Sequence, residues 1–517
     1  MLLVARLLLR PAIAVLLITA FAGYLRFTHL GHPGELVFDE VYYPKAGCIL
    51  IGGSDETCRI DSGDEKFWRN DKWDVGSWVH PPLGKWQIGL GIKAFGMDPF
   101  GWRAGTAVAG TLTVTAVAII AQLLWRRVAW TYVAGGLMAT EHLSVVMSRT
   151  AILDSHLALW VAVGFLCLVL DRRWIDGRTV AARAASAARS PAGDDAPGVV
   201  VASRAWRVPS PIWRPWRFAM GMAFGAAISV KWSGAMALFG AFVLTFAWET
   251  ARRRSSSPTL ARAFMRVFAR ESFPIVLALV VVPLVVYAAI ALPWMHHFDW
   301  DLARWWDTQK GSFRYHFDGG LGWTGVDPDT GASTPTHPYY ARWWEWIVPP
   351  GRPTSFHVQD LGPDTQQILA LGAPAVFWAN LFAMPLVVWS LVRRHDWRAG
   401  FIAVAFAAQL LPWIRVGRPT FFFYVTPLVP FMVLGVTYLL QVAADAKLVV
   451  RDRETGEVAI NPETGAPAVS TAYVYRPFVV AYLIVAALLF LWFWPVMTAG
   501  QVSDVRWRLI VWFNRWI

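Results

Sequence analysis

Long apolar runs alternate with short basic segments along most of the 517-residue chain. A run of about twenty apolar residues is long enough to cross a hydrocarbon core of about 30 Å. The pattern therefore predicts an all-α polytopic membrane protein with about eleven transmembrane helices. The predicted spans lie near residues 8–27, 103–124, 128–147, 151–170, 217–231, 234–249, 273–293, 368–392, 398–414, 420–441 and 477–498. The first run lacks a small-residue cleavage site and many spans follow it, so we expect a retained helix rather than a signal peptide.

Basic residues set the orientation of these spans. They fall between alternate spans, so they share one side of the membrane if the N-terminus is cytoplasmic. They are Arg126, Arg127, Arg172, Arg173, Arg178, Arg183, Arg252, Arg253, Arg254, Arg393 and Arg394. Two long loops, 28–102 and 294–367, then face the extracytoplasmic side of the cell membrane. Polar chemistry on that face must come from these loops and the outer turns.

Three further segments depart from the apolar pattern. Segment 174–215 is rich in Ala, Ser, Pro, Gly and Arg, which predicts a mobile cytoplasmic insertion. Segment 442–476 contains RETGEVAINPETGAP, whose two turn signals predict a cytoplasmic loop with a small hairpin. The tail VRWRLIVWFNRWI alternates Trp and Arg with aliphatic residues, which favours a position in the membrane interface.

Composition adds two constraints. The chain is 56% hydrophobic with a formal net charge of +12, and because the positive charges gather in short loops they do not indicate nucleic-acid binding. Of the three cysteines, Cys48 and Cys58 fall in the first outer loop, where disulfides form, and we expect them to be bridged. Two free thiols are the alternative. Cys167 lies within a span and is expected to be a buried small hydrophobe.

The first outer loop carries adjacent carboxylates in FDEVYYPKA. Asp39 and Glu40 lie among Phe38, Tyr42 and Tyr43, which would bury them against the membrane surface. Desolvation there raises a carboxylate's pKa and makes it a better base. A solvated acidic loop is the ordinary alternative.

Basic residues recur at the outer ends of the spans. His80 and Lys85 flank the rigid double-proline corner of HPPLGKW, and Arg103 follows in FGWRAG. Lys85 either snorkels or binds a lipid-borne phosphate, and Arg103 either does the same or marks the interface. The remaining outward-facing ionisable candidates are Arg149 and Asp154 of SRTAILDSH, which could pair with each other, Lys231 of ISVKWSG, and Arg415 and Arg418 of IRVGRPTFFFYVTP.

The second outer loop is dense in tryptophan, as in HPYYARWWEWIVPPGRP. Such residues form an interfacial belt or stack on sugar rings. No Gly-rich nucleotide loop, HExxH or CxxC pair is evident in the sequence. A sugar carried on a lipid phosphate is therefore a better substrate than a nucleotide sugar or ATP.

Taken in order, FDEVYY, HPPLGKW, FGWRAG, SRTAILDSH, SVKWSG and HPYYARWWEW resemble the protein O-mannosyltransferases, which are glycosyltransferases of the GT-C class. The resemblance covers nearly the whole chain and implies one GT-C membrane domain over 1–517. It implies transfer of mannose from polyprenyl phosphate mannose to Ser or Thr of secreted or membrane proteins, with inversion. The second outer loop is too short for the β-trefoil MIR domain of eukaryotic members. FFYVTP replaces a late histidine-containing motif, so roles for those histidines do not carry over.

The resemblance also implies residue roles. Asp39 corresponds to the general base and Glu40 to a residue that positions the acceptor. Donor or phosphate binding is assigned to His80, Lys85, Arg103, Arg149, Asp154, Lys231, Arg415 and Arg418, and acceptor or sugar binding to His337, Tyr339 and Trp344. No metal and no cofactor are expected. The partners expected are the lipid donor, the polypeptide acceptor, the bilayer and the Sec translocon.

Three other readings compete. One is a GT-C enzyme with a different lipid-linked donor, such as an aminoarabinose transferase. An oligosaccharyltransferase is disfavoured because WWDTQ at 305–309 lacks the Tyr and Gly of WWDYG. A transporter is disfavoured because the polar residues cluster at the outer ends of the spans rather than near midplane.

Overall fold

The computed structural model describes most of the chain. The described residues are 8–60, 79–188, 212–317, 324–326, 333–335, 338–348, 351–416, 420–447, 458, 460, 468 and 473–516. His337, Arg418 and most of the predicted hairpin in 442–476 lie outside these residues.

Helices dominate the described residues. They are α1 (Pro11–Phe27), α2 (Tyr43–Leu50), α3 (Asp55–Cys58), α4 (Leu83–Phe95), α5 (Pro99–Trp125), α6 (Val128–Ala139), α7 (His142–Ser148), α8 (Asp154–Ala188), α9 (Pro215–Val230), α10 (Gly234–Arg254), α11 (Leu260–Val276), α12 (Val282–Met295), α13 (Leu302–Phe317), α14 (Pro374–Phe377), α15 (Asn380–Arg394), α16 (Trp397–Leu410), α17 (Val429–Asp445), α18 (Arg476–Met497) and α19 (Asp504–Ile510).

Eight helical stretches of the described residues are long and apolar enough to cross a membrane. They are 99–125, 154–182, 234–254, 260–295, 374–394, 397–415, 422–445 and 476–497. The other three predicted spans correspond to the shorter helices α1, α6 and α9. The chain is therefore a multi-pass membrane protein, whereas the predicted number of eleven crossings stays a prediction.

The loops carry small antiparallel sheets. Strands β1 (Thr324–Val326) and β2 (Ser333–Pro335) form a two-stranded sheet. A three-stranded sheet joins β3 (Thr354–Asp360), β4 (Asp364–Ala370) and β5 (Gln501–Ser503) in that order. Because β5 follows α18 directly, this sheet ties the end of the chain to the second outer loop. The predicted interfacial tail, which starts at Val505, begins within helix α19 directly after this strand, and Trp516 is buried.

Three sequence expectations were wrong in detail. Helix α8 continues to Ala188, so the first part of the 174–215 insertion is helical, because it is rich in Ala and Arg, which are strong helix formers. The span predicted at 128–147 is broken at Thr140 and Glu141, since the Glu141 carboxylate caps α7 by accepting from the Leu143 and Ser144 amides. Residues 368–370 are the end of β4 rather than the start of a helix.

Helices α8 and α9 pack closely at the centre of the bundle. A side chain at Gly164 would approach the Phe224 ring to 2.7 Å, so only glycine allows this separation. The neighbouring Phe165 ring meets the Phe224 and Phe431 rings edge-on, with centroids 5.4 and 4.8 Å apart. Such interlocking aromatic contacts leave the two helices little freedom to shift.

A buried charge network joins α8 to its neighbours at the basic side of the bundle. Arg214 donates to both Asp171 oxygens, at 2.9 and 2.6 Å, and to Glu249 at 2.5 Å. Arg217 donates to Glu249 at 3.1 Å and to Glu271 at 2.9 Å. Each carboxylate therefore faces guanidinium groups, which offsets the cost of burying it.

The Cys48–Cys58 disulfide is present and closes the segment that follows α2. This confirms the predicted pairing. Cys167 is free and buried in α8, also as predicted.

We expect the double replacement Cys48→Ser and Cys58→Ser to lower the unfolding free energy by about 2–3 kcal/mol, because the bridge closes a loop of about eleven residues. Thermal unfolding in detergent measures the effect. In denatured, non-reduced wild-type protein, a thiol reagent should label Cys167 alone. Labelling of Cys48 and Cys58 would contradict the bridge.

Candidate active site

The two adjacent carboxylates lie on a short 3-10 turn, Phe38–Val41, ahead of α2. Phe38 has a left-handed backbone with φ of 50°, a conformation that is strained for an aromatic residue. Its ring is held by stacking on Phe356 of β3, with centroids 4.6 Å apart, and by an edge contact with Phe423 at 5.6 Å. These aromatic contacts anchor the turn between the two outer loops.

Glu40 is fully buried and fully hydrogen-bonded. Arg103 donates to both of its carboxylate oxygens at 2.8 Å, from Nε and Nη2. The backbone amides of Val37 and Ala151 donate to the same two oxygens at 3.0 and 2.7 Å. A carboxylate whose oxygens accept from four protein donors has no position left for a substrate group. Glu40 is therefore placed as an anchor rather than toward an acceptor.

All the guanidinium hydrogen-bond donors of Arg103 are used within the protein. Besides the two bonds to Glu40, Nη1 donates to the carbonyls of Leu30 and Pro33 at 3.2 and 2.8 Å, and Nη2 donates to that of Glu35 at 2.9 Å. These bonds account for all five guanidinium N–H groups. The geometry contradicts the predicted phosphate contact of Arg103, because no donor is left for it.

Asp39 has a different environment from its neighbour. Its side chain is partly buried, and no hydrogen bond to its carboxylate is found among the described residues. Burial raises the pKa of Asp39 to about 6; the positive charge of Lys231 lowers this pKa and the negative charge of Asp154 raises it. Asp39 is thus a carboxylate tuned toward neutral pH, which is what a general base needs.

Asp154 and Lys231 form a buried ion pair beside Asp39. Lys231 Nζ donates to Asp154 Oδ2 at 2.6 Å and lies over the Tyr424 ring, 5.2 Å from its centroid. The predicted pairing of Asp154 with Arg149 is wrong. Arg149 instead donates to four backbone carbonyls at the C-terminal end of α1, those of Leu25, Arg26, Thr28 and His29. Its guanidinium therefore caps α1, and a phosphate role is not supported.

The ion pair lines a cavity at the outer end of the bundle, which we call the outer cavity. Its empty volume is about 830 Å³. Apolar side chains such as Leu157, Val161, Trp232 and Trp413 form much of its wall, and the polar groups on it are His80, Asp154, Lys231, Ser233, His316, Gln409 and Tyr424. A mainly apolar pocket with a few converging polar groups is typical of a small-molecule site.

A second, apolar groove adjoins the outer cavity. It has an empty volume of about 1330 Å³ and is lined by Leu279, Pro283 and Leu284 near α12 and by Trp305, Trp306 and Phe313 of α13, among others. Trp232 belongs to both walls. At the boundary, Trp232 Nε1 donates to the Tyr287 hydroxyl at 3.2 Å, and that hydroxyl donates to Gln309 Oε1 at 3.0 Å.

Lys85 stabilises the double-proline corner of HPPLGKW through a side-chain hydrogen bond. It is fully buried, so it does not snorkel, and its Nζ donates to the His80 carbonyl at 2.6 Å. Burial lowers the pKa of Lys85 to about 7. This contact fixes the backbone that presents His80 to the outer cavity.

The other predicted residues lie further out. Arg415 is exposed and does not line the outer cavity, although Trp413 and Val416 on either side of it do. Tyr339 is partly buried, while Trp344 is 41% exposed and carries Arg342 over its ring. Residues 339–344 are held near the aromatic FFY segment by a bond from the Ala341 amide to the Thr420 carbonyl at 2.8 Å.

Sequence reasoning missed His316, Tyr424 and Gln409 as cavity residues. His316 is hidden in the aromatic FRYHF of the second outer loop, where nothing local distinguishes it. Tyr424 lies in FFYVTP, which contains no histidine and has no other local feature that indicates a cavity residue. Among the described residues, no three His, Cys, Asp or Glu side chains come together in a group that could hold a metal ion.

A multi-span helical bundle with its site built from outer loops is the architecture of the GT-C glycosyltransferases. The fold matches the solved Pmt1–Pmt2 protein O-mannosyltransferase complex of Saccharomyces cerevisiae, with a TM-score of 0.61 and 13% identity, over 99% of this chain and 93% of that one. Two family models match: the dolichyl-phosphate-mannose-protein mannosyltransferase model at residues 75–178, and the C-terminal four-transmembrane region of protein O-mannosyltransferase at 329–516. The chain belongs to the protein O-mannosyltransferase family.

Individual relatives agree with this membership. A polyprenol-phosphate-mannose–protein mannosyltransferase of Mycobacterium tuberculosis is 28% identical over 98% of this chain and 92% of its own length. An undecaprenyl phosphate-aminodeoxyarabinose arabinosyl transferase of Pseudomonas aeruginosa is 29% identical, but over only 31% of this chain and 27% of its own. The sequence alignment with this aminoarabinose enzyme thus spans about a third of the chain.

We expect Glu40→Gln to destabilise the protein by about 3–5 kcal/mol, because it removes one charge from a buried pair and leaves Arg103 uncompensated. Thermal unfolding in detergent measures the loss. Glu35→Gln is the matched control, since that side chain is 64% exposed. Equal stability of the two variants would contradict the anchoring role of Glu40.

Proposed function

We propose that this enzyme transfers mannose from polyprenyl phosphate mannose to Ser or Thr hydroxyls of secreted or membrane proteins. The observation that carries the proposal is Asp39, a carboxylate with a raised pKa beside the Lys231–Asp154 pair of the outer cavity. The name of the Mycobacterium tuberculosis relative supports the same donor and a protein acceptor.

The donor would occupy both spaces described above. A prenyl chain requires an apolar path, which the groove beside α12 and α13 provides. A mannosyl group requires the polar walls of the outer cavity. The phosphate that connects them would then lie near Trp232, the residue common to both walls, within reach of the Lys231 ammonium group. Lys231 can offset the charge on a single phosphate without a metal.

The reaction would be a single displacement. The hydroxyl oxygen of Ser or Thr forms a bond to the anomeric carbon, its proton passes to Asp39, and the bond to the phosphate oxygen breaks with its electron pair. Inversion follows, because a covalent intermediate would need a second carboxylate at the sugar. Glu40 is occupied by Arg103, and Asp154 is occupied by Lys231.

The site is proposed to lie on the extracytoplasmic face, with the N-terminus in the cytoplasm. The bundle's short basic turns, such as Arg126–Arg127 and Arg393–Arg394, lie at the ends of spans opposite to the outer cavity. The Cys48–Cys58 bridge lies on the cavity side, and disulfides persist in oxidising compartments. Acceptors would therefore be polypeptides that have crossed or are crossing the membrane.

The direct test is transfer of radiolabelled mannose from polyprenyl phosphate mannose to a Ser/Thr-rich peptide by the purified protein. Release of the label by β-elimination identifies the linkage to Ser or Thr. Polyprenyl phosphate aminoarabinose with lipid A as acceptor serves as the competing pair. Transfer only with the competing pair would overturn the mannose proposal.

We expect Asp39→Asn to abolish transfer, with a loss of about 100-fold or more in kcat, while donor binding persists, because only the proton acceptor is removed. Asp299→Asn is the matched control, since this aspartate is 86% exposed and lies away from the outer cavity. Near-wild-type turnover by a folded Asp39→Asn protein would refute the base assignment.

We expect full activity in excess EDTA, because the donor carries one phosphate that a lysine can neutralise. Lys231→Gln should instead lower transfer by about 100-fold or more, since it removes that charge and leaves Asp154 buried and unpaired. Initial rates with and without chelator are the measurement. Inhibition by EDTA that added Mg²⁺ or Mn²⁺ reverses would contradict the metal-free mechanism.

A further inference from the structure

Two histidines from different outer loops stack face to face at the outer cavity. His80 immediately precedes the two prolines of the HPPLGKW corner, and His316 lies near the end of α13; their ring centroids are 5.0 Å apart with an interplanar angle of 26°. Both line the cavity that contains Lys231 and Asp154. The His316 ring also faces Trp232, at 6.1 Å between centroids. The pair therefore stands where the cavity meets the apolar groove.

The position of the proton on His316 follows from its partner. Its Nε2 lies 3.0 Å from the Val79 carbonyl, which also accepts from the Ser312 hydroxyl at 2.9 Å. A carbonyl can only accept, so Nε2 carries hydrogen in the neutral ring. An additional proton on this ring must then be bound at Nδ1. The Val79 contact is also what sets the ring orientation against His80.

We propose that the His80–His316 pair holds one proton that neutralises the charge gained by the leaving phosphate. This rests on the proposed function. The donor is a phosphodiester with one negative charge, and cleavage of its bond to the sugar leaves a monoester that takes a second. The hydroxyl proton goes to Asp39, so it does not neutralise the phosphate. A phosphate monoester has its second pKa near 6 and an imidazole near 6.5, so transfer or sharing of a proton between them is nearly balanced.

The surroundings support a single charge on the pair. Two stacked imidazolium rings at this distance would repel each other, so the second protonation is disfavoured. The titratable groups that face the pair are Lys231 and Asp154 across the cavity, Tyr43 of α2 and Tyr424 of the FFY segment. Arg314 and Tyr315 flank His316 on its own helix, and Lys85 donates to the His80 carbonyl.

The test compares pH–rate profiles of the purified enzyme with the labelled mannose donor. As the pH is raised, wild-type kcat should rise when Asp39 loses its proton and fall when the His80–His316 pair loses its proton.

His316→Gln keeps a donor for the Val79 carbonyl but cannot carry the proton, whereas His316→Phe loses both. We expect both variants to lose kcat about tenfold or more near the optimum, with a smaller effect on donor KM. The double variant His80→Gln/His316→Gln should lack the descending limb. His395→Gln, an exposed histidine at the basic end of α15, is the matched control.

Each outcome decides a separate question. Transfer of mannose by wild type tests the proposed function, and its absence overturns both proposals. With wild type active, a profile that has no descending limb overturns the proton pair whatever the variants do. A His316→Gln enzyme with wild-type kcat and an unchanged profile, beside an impaired His316→Phe, would assign His316 a structural role only.

Discussion

The buried contact between Glu40 and Arg103 is the interaction on which the rest of the site depends. It connects the turn after α1 to the start of α5, and through the Ala151 amide it reaches the entrance of α8. Burying two charges is costly, and here the cost is offset because every lone pair and every N–H group in the pair has a partner. The turn that carries Asp39 is therefore held in place by Glu40, the next residue in the sequence.

Adjacent carboxylates thus receive opposite environments. The Glu40 carboxylate accepts from four protein donors, while Asp39 is partly desolvated without such donors, which is why the pKa of Asp39 rises to about 6. The left-handed backbone at Phe38 starts this divergence, and the Phe356 ring maintains it. A pair of acids that looks uniform in sequence is in this way divided into one anchor and one group with the properties of a base.

Much of the architecture follows from local pattern, whereas the partners within the site do not. The apolar runs and the Cys48–Cys58 bridge can be predicted from spacing and from which side of the membrane each segment faces. Arg103, Arg149 and Lys231 are all basic residues at outer span ends, and the sequence offers no way to separate them. Only the folded chain shows that Arg103 binds Glu40, that Arg149 caps α1 and that Lys231 faces the outer cavity, because each contact joins segments more than sixty residues apart. The role of His316 could not be predicted for the same reason, since it depends on the contact with His80, which is distant in sequence.

The two central helices, α8 and α9, are joined by one ion pair at each end. Asp154 meets Lys231 at the outer cavity, and Asp171 meets Arg214 in the charge network at the basic side. Segments 154–171 and 214–231 contain the same number of residues, as antiparallel neighbours with matched ends must. Inserting or deleting one residue in either segment would advance one end by about 1.5 Å and rotate it by about 100°, so both pairs could not be kept. These two segments can therefore vary in sequence during evolution, but their lengths are bound to each other.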